Sequence, residues 1–298
     1  MKVLVTGGTG FVGRRLKKHK PNWIYISSSD YDLTNKESCS MMFKEIAPDA
    51  VVHLAAKVGG IKENAENQAL FYYQNTIINT NVIHQAYLSG VERLLASLST
   101  CAFPNEVEEY PLVEDDLLSG PPAPTNISYG FTKRALHIQC ISYRKQYGVN
   151  YSTFCPSNLY GPDDYFNSKK SHFVAALVTK VAKENLDSLK LWGTGKPLRQ
   201  QLYVDDLCKI IPLLLEKHNS DAPLIVAPNE NLSIEEMANK ALKMFAKNVK
   251  LEFDGNLDGQ YRKDGSNKKL LEIIGEFKFT TFDEGLRYTY DWYTNNKK

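Results

Sequence analysis

The sequence predicts an α/β fold, in which a doubly wound parallel sheet is followed by a smaller, mixed α/β C-terminal domain. Three observations carry this prediction. Short apolar runs alternate with amphipathic stretches up to about residue 155, a glycine-rich loop follows the first apolar run, and the alternation weakens after about residue 160. Runs that are apolar on both faces and separated by helices are typical of a parallel sheet covered on both sides.

Five runs are short, rich in β-branched residues and bounded by helical patterns, so each predicts a buried strand. Further along, Ser233 and Glu236 form the capping-box pattern that opens a helix. The runs are KVLVT (2–6), WIYIS (23–27), AVVHLAA (50–56), RLLASLS (93–99) and VNYSTFC (149–155), and the clearest helical stretches are 66–89 and 128–147.

Composition excludes several classes of partner. The 298 residues, 43% of them hydrophobic, suffice for one large or two moderate domains. With 36 basic and 34 acidic residues and no basic run, no nucleic-acid surface is predicted. The longest strongly apolar run, IIPLLL (210–215), falls far short of the roughly 20 residues of a membrane span.

The cysteines and the N-terminus bear on the compartment. Five cysteines are odd in number, widely spaced and without metal-ligand spacing, which favours free thiols and no metal site. The opening MKVLV predicts a strand and not a secretory signal. A cytoplasmic location is therefore expected.

The loop VLVTGGTGFVG places Gly7, Gly10 and Gly13 between the first strand and a helix. Glycine permits the tight turn and lets backbone N–H groups approach a pyrophosphate at the helix N-terminus. This context predicts a Rossmann-type dinucleotide site, and the GxxGxxG spacing points to the short-chain dehydrogenase/reductase style of loop. The alternative is a glycine-rich turn without a ligand.

The end of the second strand bears on the choice of cofactor. An acidic residue there would bind the ribose hydroxyl of NAD, but the chain has three serines (27–29), and Asp30 lies too far along. Arg14 follows the third glycine and is a candidate for a phosphate contact. These residues favour NADP(H), with a solvated Arg14 as the alternative.

Tyr129 and Lys133 stand four residues apart in YGFTK, on one face of a predicted helix. A neighbouring ammonium group stabilises the phenolate, so the pKa of Tyr129 is expected to be lowered. The phenol can then exchange a proton with a substrate oxygen while hydride moves to or from a nicotinamide. Ser99, at a strand end, would hydrogen-bond the same oxygen. The alternative interpretation of this spacing is a solvated helix face.

Taken together, the chain resembles the extended short-chain dehydrogenase/reductase superfamily and, within it, the GDP-L-fucose synthase family. The resemblance covers nearly the whole chain. It rests on the motifs HLAAKVGGI (53–61), LSTCAFP (98–104), NLYGPDDYF (158–166), SHFVAALVTK (171–180), WGTGKPLRQQLYVDDL (192–207) and DGQYRK (258–263).

The resemblance implies 3,5-epimerisation and NADPH-dependent 4-reduction of GDP-4-keto-6-deoxy-D-mannose to GDP-L-fucose by a homodimer. It implies an NADP-binding domain at 1–160, with 195–226 returning to it, and a mainly substrate-binding domain at 161–298. The residues expected to contact NADP(H) are Gly7, Gly8, Thr9, Gly10, Phe11, Val12, Gly13, Asp32, Leu54, Ala55, Ala56, Tyr129, Lys133, Pro156, Asn158, Leu159 and His172.

The family's epimerisation roles fall on Cys101 and His172, which join Ser99, Tyr129 and Lys133 as the catalytic set. Both epimerised carbons lie α to a ketone, so inversion needs a base on one face and an acid on the other. The substrate-binding residues implied by the motifs are Asn158, Lys180, Trp192, Arg199, Asp258 and Lys263.

The chain departs from the family pattern at Asp163 and Tyr165, where the family commonly has His and Asn, and Lys180 replaces an Arg of some members. Alternatives stay open: Cys101 as packing, His172 as a capping or surface residue, and the lysines as solvated charges. The alternative functions are a non-epimerising 4-keto-sugar-nucleotide reductase and a non-catalytic NADPH-sensing protein.

Overall fold

The computed structural model of the chain describes residues 1–59, 63, 66–166, 171–255, 258 and 260–296. A six-stranded sheet lies at the centre, and its strands all run parallel in the order β10-β5-β4-β3-β1-β2. The strands are β1 (Val3–Thr6), β2 (Ile24–Ile26), β3 (Ala50–His53), β4 (Arg93–Ser97), β5 (Asn150–Pro156) and β10 (Leu224–Val226).

Helices cover both faces of this sheet, which confirms the predicted doubly wound α/β fold. Alternate strand residues face opposite sides. Leu4 packs in one cluster with helices α2, α3 and α4, whereas Val3 and Val5 pack in another with α1, α6 and α8. The helices are α1 (Phe11–His19), α2 (Lys36–Ile46), α3 (Gln68–Leu88), α4 (Ile127–Tyr147), α6 (Val204–Lys217) and α8 (Lys268–Ile274).

A third hydrophobic cluster, separate from the sheet, is formed by later elements, with Leu177, Leu189, Met237 and Leu286 at its centre. Helix α7 opens with the predicted capping box between Ser233 and Glu236. The elements are α5 (Phe173–Val181), α7 (Ile234–Met244), α9 (Phe282–Asn296) and the parallel pair β7 (Ser188–Leu191) and β12 (Lys250–Phe253).

Two short strand pairs link the two regions. β6 (Asn158–Tyr160) runs parallel to β9 (Gln201–Tyr203), and β8 (Leu198–Arg199) is antiparallel to β11 (Leu232–Ser233). Because β9 leads directly into α6 and then β10, this stretch brings the chain back from the third cluster to the central sheet.

Strand β4 ends at Ser97, two residues before the predicted end, because the chain turns there into a short 3₁₀ helix at Thr100–Ala102. The C-terminal ends of β1, β3, β4 and β5 thus lie along one edge of the sheet, where ligands of such folds bind. Among the described residues, no helix is long and apolar enough to cross a bilayer.

Candidate active site

The glycine-rich loop makes contacts that only glycine allows. Gly7 has a φ of +75°, and a Cβ there would lie 2.9 Å from the backbone nitrogen of Ala55. A Cβ on Gly13 would lie 2.2 Å from the carbonyl oxygen of Gly7. The loop, the start of α1 and the segment after β3 are therefore packed backbone to backbone, as a dinucleotide site requires.

The N-terminus of α1 suits an anion. Its N-cap is Gly10, no side chain caps this helix, and no acidic residue stands in its first turn. The first backbone N–H groups and the positive end of the helix dipole therefore remain available to a pyrophosphate. The residues present fit NADP(H).

At the end of β2, the side chain of Asp30 folds back on its own turn. Its carboxylate accepts hydrogen bonds from the backbone nitrogen and hydroxyl of Ser27, at 2.8 and 2.7 Å. Asp32 likewise accepts from the backbone nitrogen and hydroxyl of Thr34. Ser28 and Ser29 are exposed, as is Asp30 itself, so this strand end presents hydroxyl groups beside a carboxylate that Ser27 holds.

Arg14 is engaged within the protein. Its guanidinium donates to the carbonyl oxygens of Thr9 and Asp163, each at 2.6 Å, and lies 5.2 Å from the ring centroid of Tyr165. The contact with a cofactor phosphate stays a prediction. Asp163 and Tyr165, the residues that depart from the family pattern, are those that meet Arg14.

Ser99 and Cys101 stand on the short turn after β4, and this turn packs against helix α4. Ser99 is the N-cap of this turn, and its hydroxyl accepts from the backbone nitrogen of Cys101 at 3.2 Å. Arg134 donates to the carbonyl of Ala102, and a Cβ on Gly130 would lie 2.5 Å from the carbonyl oxygen of Cys101. The turn is therefore fixed against α4.

The thiol of Cys101 is partly exposed and contacts a lysine from a distant segment. Nζ of Lys263 lies 3.4 Å from the Cys101 sulfur. Burial opposes ionisation of this thiol, but the charge of Lys263, with hydrogen bonds from Ser99, Lys263 and Asn126, lowers its pKa below the ordinary value. A lowered pKa is what a proton-abstracting cysteine needs.

The four other cysteines are buried and free. Burial raises the pKa of each thiol, including Cys155, which lies near Cys101. They are packing thiols, as expected. Cys39, Cys140, Cys155 and Cys208 form this group.

Tyr129 and Lys133 lie together in the first turns of α4. Nζ of Lys133 lies 5.7 Å from the Tyr129 ring centroid and donates to the carbonyl of Ser97 at 2.7 Å. Burial lowers the pKa of Lys133 to about 8. The expected lowering of the phenol pKa is not seen: burial, with the Cys101 and Cys155 sulfurs, raises the pKa of Tyr129. Tyr129 thus stays protonated, as a donor must.

His172 is the N-cap residue of α5, and its side chain is 57% exposed. Its Nδ1 lies 3.7 Å from Oδ1 of Asp164, whose own side chain is fully buried. The nearby Asp164 carboxylate raises the pKa of His172, against the effect of burial.

The residues expected to bind substrate lie in five segments of the chain: β6, α5, the turn after β7, β8 and the segment after β12. Arg199 in β8 donates to the carbonyl of Leu198 at 2.7 Å, and among the described residues no carboxylate lies within 4.0 Å of its guanidinium. Lys180, by contrast, donates to the carbonyl of Lys190 at 2.5 Å. Asn158 begins β6, opposite Gln201.

Trp192 stands on the turn after β7 and is 84% exposed. Asp258 accepts from the backbone nitrogen and hydroxyl of Thr194 at 2.8 and 2.6 Å, so its carboxylate braces this turn. Of the motifs quoted above, Gly60, Ile61 and Gly259 lie outside the described residues.

One group of metal-ligating types occurs among the described residues: His19, Asp205 and Cys208, whose ligand atoms lie within 4.8 Å of one another. The Asp205 carboxylate is already paired with Arg15 and His19, and burial raises the pKa of Cys208. This group is accounted for as a structural ion-pair cluster between α1 and α6.

Two residues near the reacting groups were missing from the expectations. Asn126 precedes helix α4 and helps to lower the pKa of Cys101, and Asp164 stands beside His172. The position of Asn126 directly before the helix that carries the YGFTK motif was a usable signal. Nothing in the sequence distinguished Asp164 from its neighbour Asp163, because both carry the same charge. Only the structure shows that the Asp164 side chain is the fully buried one.

Comparisons with known proteins agree with this geometry. The model of the NAD dependent epimerase/dehydratase family matches residues 3–227. The chain is 35% identical over 306 residues to the GDP-L-fucose synthase of Dictyostelium discoideum, with 99% of this chain and 95% of the relative covered. It is 35% identical over 314 residues to the probable GDP-L-fucose synthase of Drosophila melanogaster, with 99% and 98% covered.

Solved structures give the same result. A crystal structure of a GDP-L-fucose synthetase from Naegleria fowleri bound to NADP superposes with a TM-score of 0.91 at 32% identity. The superposition covers 99% of this chain and 92% of that one.

Proposed function

Because the chain belongs to the NAD dependent epimerase/dehydratase family, and within it to the GDP-L-fucose synthases, we propose that it makes GDP-L-fucose. The enzyme inverts C3 and C5 of GDP-4-keto-6-deoxy-D-mannose and reduces C4 with NADPH. The observation that carries the epimerase activity is the Cys101–Lys263 contact, at 3.4 Å, on the turn that begins with Ser99.

Epimerisation is assigned to Cys101 and His172. The thiolate of Cys101 removes the proton on the carbon next to the ketone, and the electron pair moves into an enolate whose charge rests on O4. His172 returns a proton to the opposite face of that carbon. Both groups then exchange protons with solvent, which restores them for the second centre.

Reduction is assigned to Ser99, Tyr129 and Lys133. Bound NADPH supplies the hydride that C4 accepts. Ser99 and Tyr129 hydrogen-bond O4, and Tyr129 donates the proton that makes it a hydroxyl. The raised pKa of Tyr129 keeps this proton in place until hydride transfer makes O4 more basic. Lys133 holds the Ser97 carbonyl and is set to bind the cofactor ribose.

The cofactor is proposed to lie along the strand ends from Gly7 to Leu159. The glycine loop and the N-terminus of α1 would hold its pyrophosphate, and the segment after β3 would line the adenosine half. Ser28, Ser29 and Arg14 are the proposed determinants of the NADPH preference. His172 remains a candidate nicotinamide contact.

Substrate binding is proposed for Asn158, Lys180, Arg199 and Lys263, with Trp192 available to stack on the base. Arg199 has no carboxylate partner among the described residues and offers a planar pair of donors to the diphosphate. Asp258 acts by bracing the Trp192 turn.

Each of the two alternative functions leaves one feature of the site unexplained. A non-epimerising reductase has no use for a cysteine whose pKa is lowered by a lysine. A non-catalytic NADPH sensor has no use for a buried Tyr129–Lys133 pair. The first is distinguished by its product and the second by the absence of turnover.

The proposed domains are 1–160 with 195–226, which bind NADP(H), and mainly 161–298, which bind substrate, except that helix α8 of the latter packs on the central sheet. A cytoplasmic homodimer is also proposed. Phe131 and Ile138 on α4, with Leu70 and Tyr73 on α3, are large apolar side chains left exposed on adjacent helices. A second copy of the chain would bury them. Light scattering at micromolar concentration should give twice the chain mass, and Ile138→Lys should lower it.

The decisive experiment incubates the enzyme with GDP-4-keto-6-deoxy-D-mannose and NADPH and identifies the sugar by NMR. GDP-L-fucose is the expected product, and a D-configured deoxysugar would establish the non-epimerising alternative. Without NADPH in D₂O, deuterium should enter at C3 and C5. Cys101→Ser should abolish this incorporation while slow reduction of the unepimerised sugar continues.

A further inference from the structure

The segment that follows β6 carries Asp164, a carboxylate to which the reaction above assigns no role. Its side chain is fully buried, whereas the side chain of its neighbour Asp163 reaches Lys18 at 2.6 Å. A buried carboxylate is costly unless charge or hydrogen bonds compensate it. Asp164 therefore needs a partner.

Contacts on both sides hold this segment in place. Phe166 stacks on Trp292 and Tyr293 of α9, with ring centroids 5.6 and 4.9 Å apart. Asp163 meets Lys18, and its carbonyl accepts from Arg14. Between these anchors, Asp164 has little freedom to turn its carboxylate elsewhere.

The carboxylate is only partly satisfied. Oδ1 accepts from the backbone nitrogen of Tyr165 at 2.7 Å, and Oδ2 is buried without a hydrogen-bond partner. In the part of the chain that the structure describes, His172 is the one cationic side chain within 4.0 Å of this carboxylate, with Nδ1 at 3.7 Å.

We propose that Asp164 is a positioning residue for epimerisation: it keeps His172 protonated, with Nδ1 toward Asp164 and Nε2 toward the sugar. The inference rests on the proposed function, in which His172 is the proton donor. A carboxylate beside one imidazole nitrogen fixes the orientation of the ring and leaves the other N–H free to donate. Each donated proton is then replaced from solvent.

The direction of the His172 pKa shift agrees with this role for Asp164. The Asp164 carboxylate, 3.7 Å from Nδ1, raises the pKa of His172, although burial acts in the opposite direction. The other groups of this segment are engaged elsewhere, since Asp163 faces Lys18 and Arg15, and the Tyr165 ring faces Arg14. Asp164 is thus the charge that sets the protonation of His172.

The test compares Asp164→Asn with Asp163→Asn, which makes the same charge change one residue away. Deuterium incorporation at C3 and C5 is measured against pH without NADPH. For Asp164→Asn, the alkaline limb of the rate profile should move down by about one pH unit or more, because the carboxylate no longer favours the imidazolium. Asp163→Asn should leave that limb in place, and NADPH affinity should be unchanged for Asp164→Asn.

An unmoved alkaline limb for Asp164→Asn, with His172→Asn strongly impaired, overturns this inference alone. Normal incorporation by His172→Asn instead overturns the proton-donor assignment of the proposed function. If Asp164→Asn does not fold, NMR of the wild type with ¹⁵N-labelled histidine decides. His172, assigned by its missing signal in His172→Asn, should titrate above 6.5, and a value at or below 6.5 overturns the proposal.

Discussion

At the scale of the residue, the chemistry of the candidate site depends on charged pairs that the fold brings together. Lys263 meets Cys101 across 162 positions of the chain, and His172 lies near Asp164 in the segment after β6. In each pair a charged group shifts the pKa of its partner toward the proposed role, downward for the base and upward for the acid. Both shifts are in the direction that the proposed base and acid require.

The first prediction concerns Lys263→Met. Without the ammonium group the pKa of Cys101 should rise, so less thiolate is present at neutral pH. Deuterium incorporation at pH 7 should fall about tenfold or more and recover as the pH rises, whereas loss of a purely substrate-binding lysine would raise KM without moving the profile. Alkylation of Cys101 by iodoacetamide should show the same alkaline movement.

The matched control is Lys268→Met, which removes an exposed lysine five positions on. It should leave the pH profile of incorporation and the alkylation rate unchanged. If Lys263→Met raised only KM, the lysine would be a substrate contact and its effect on the thiol incidental.

The second prediction concerns Tyr129→Phe. Loss of the proton donated to O4 should lower the rate of NADPH oxidation roughly 10²–10⁴-fold. The ring keeps its packing, so the dissociation constant for NADPH, measured by fluorescence, should change little. Near-normal oxidation would remove Tyr129 from the reaction.

Much of the residue-level site follows from the sequence, because Ser99, Cys101, Tyr129 and Lys133 stand in local motifs. The contact of Lys263 with Cys101 does not, since only tertiary packing brings their segments together. The expected direction of the Tyr129 pKa shift was wrong, because burial, with the Cys101 and Cys155 sulfurs, raises the pKa of the phenol. The four-residue spacing of Tyr129 and Lys133 predicts that their side chains lie close together, but it does not predict how deeply the phenol is buried.

At the scale of the element, the sequence predicts the central sheet well. Helices expected at 66–89 and 128–147 are found at Gln68–Leu88 and Ile127–Tyr147. The ends of the strands are predicted less accurately. Strand β4 stops at Ser97 because the chain then turns into the short 3₁₀ helix at Thr100–Ala102. The pairing of β10 with β5 is a long-range contact that periodicity alone does not specify.

The third prediction tests the fit of α1 against the glycine loop. In Gly13→Ala the new methyl group would stand 2.2 Å from the Gly7 carbonyl oxygen, so backbone must move. The dissociation constant for NADPH should rise at least about tenfold and the melting temperature should fall.

Gly120→Ala is the control, because its Cβ would lie 3.4 Å from the nearest Pro104 atom, an ordinary contact. It should leave both quantities unchanged. Wild-type NADPH affinity in Gly13→Ala would mean that the loop tolerates a wider separation than the structure shows.

At the scale of the whole molecule, three buried histidines couple stability to pH, namely His53, His137 and His218, and the two largest pKa shifts are those of His53 and His137. His53 bonds Thr6 and Asn79 within the sheet core, and His137 bonds Thr153. Burial lowers the pKa of each to about 4, with the charge of Lys133 adding to the effect at His53. Both are therefore neutral in the folded protein across the physiological range.

The fourth prediction follows from the sign of these shifts. Between pH 6.5 and about 4 the unfolded chain binds more protons at these positions than the folded chain, so stability is lost as the pH falls through that window. From pH 7 to 5 each histidine should remove about 2 kcal/mol from the free energy of unfolding. His172, with a raised pKa, acts in the opposite direction.

Denaturant unfolding at pH 7 and pH 5 measures this difference in the free energy of unfolding. His137→Gln keeps a hydrogen-bonding side chain beside Thr153. Whatever its stability at pH 7, this variant should reduce the difference by about 2 kcal/mol. An equal pH dependence in wild type and His137→Gln would show that His137 is protonated without unfolding, and that the core opens locally to admit the charge.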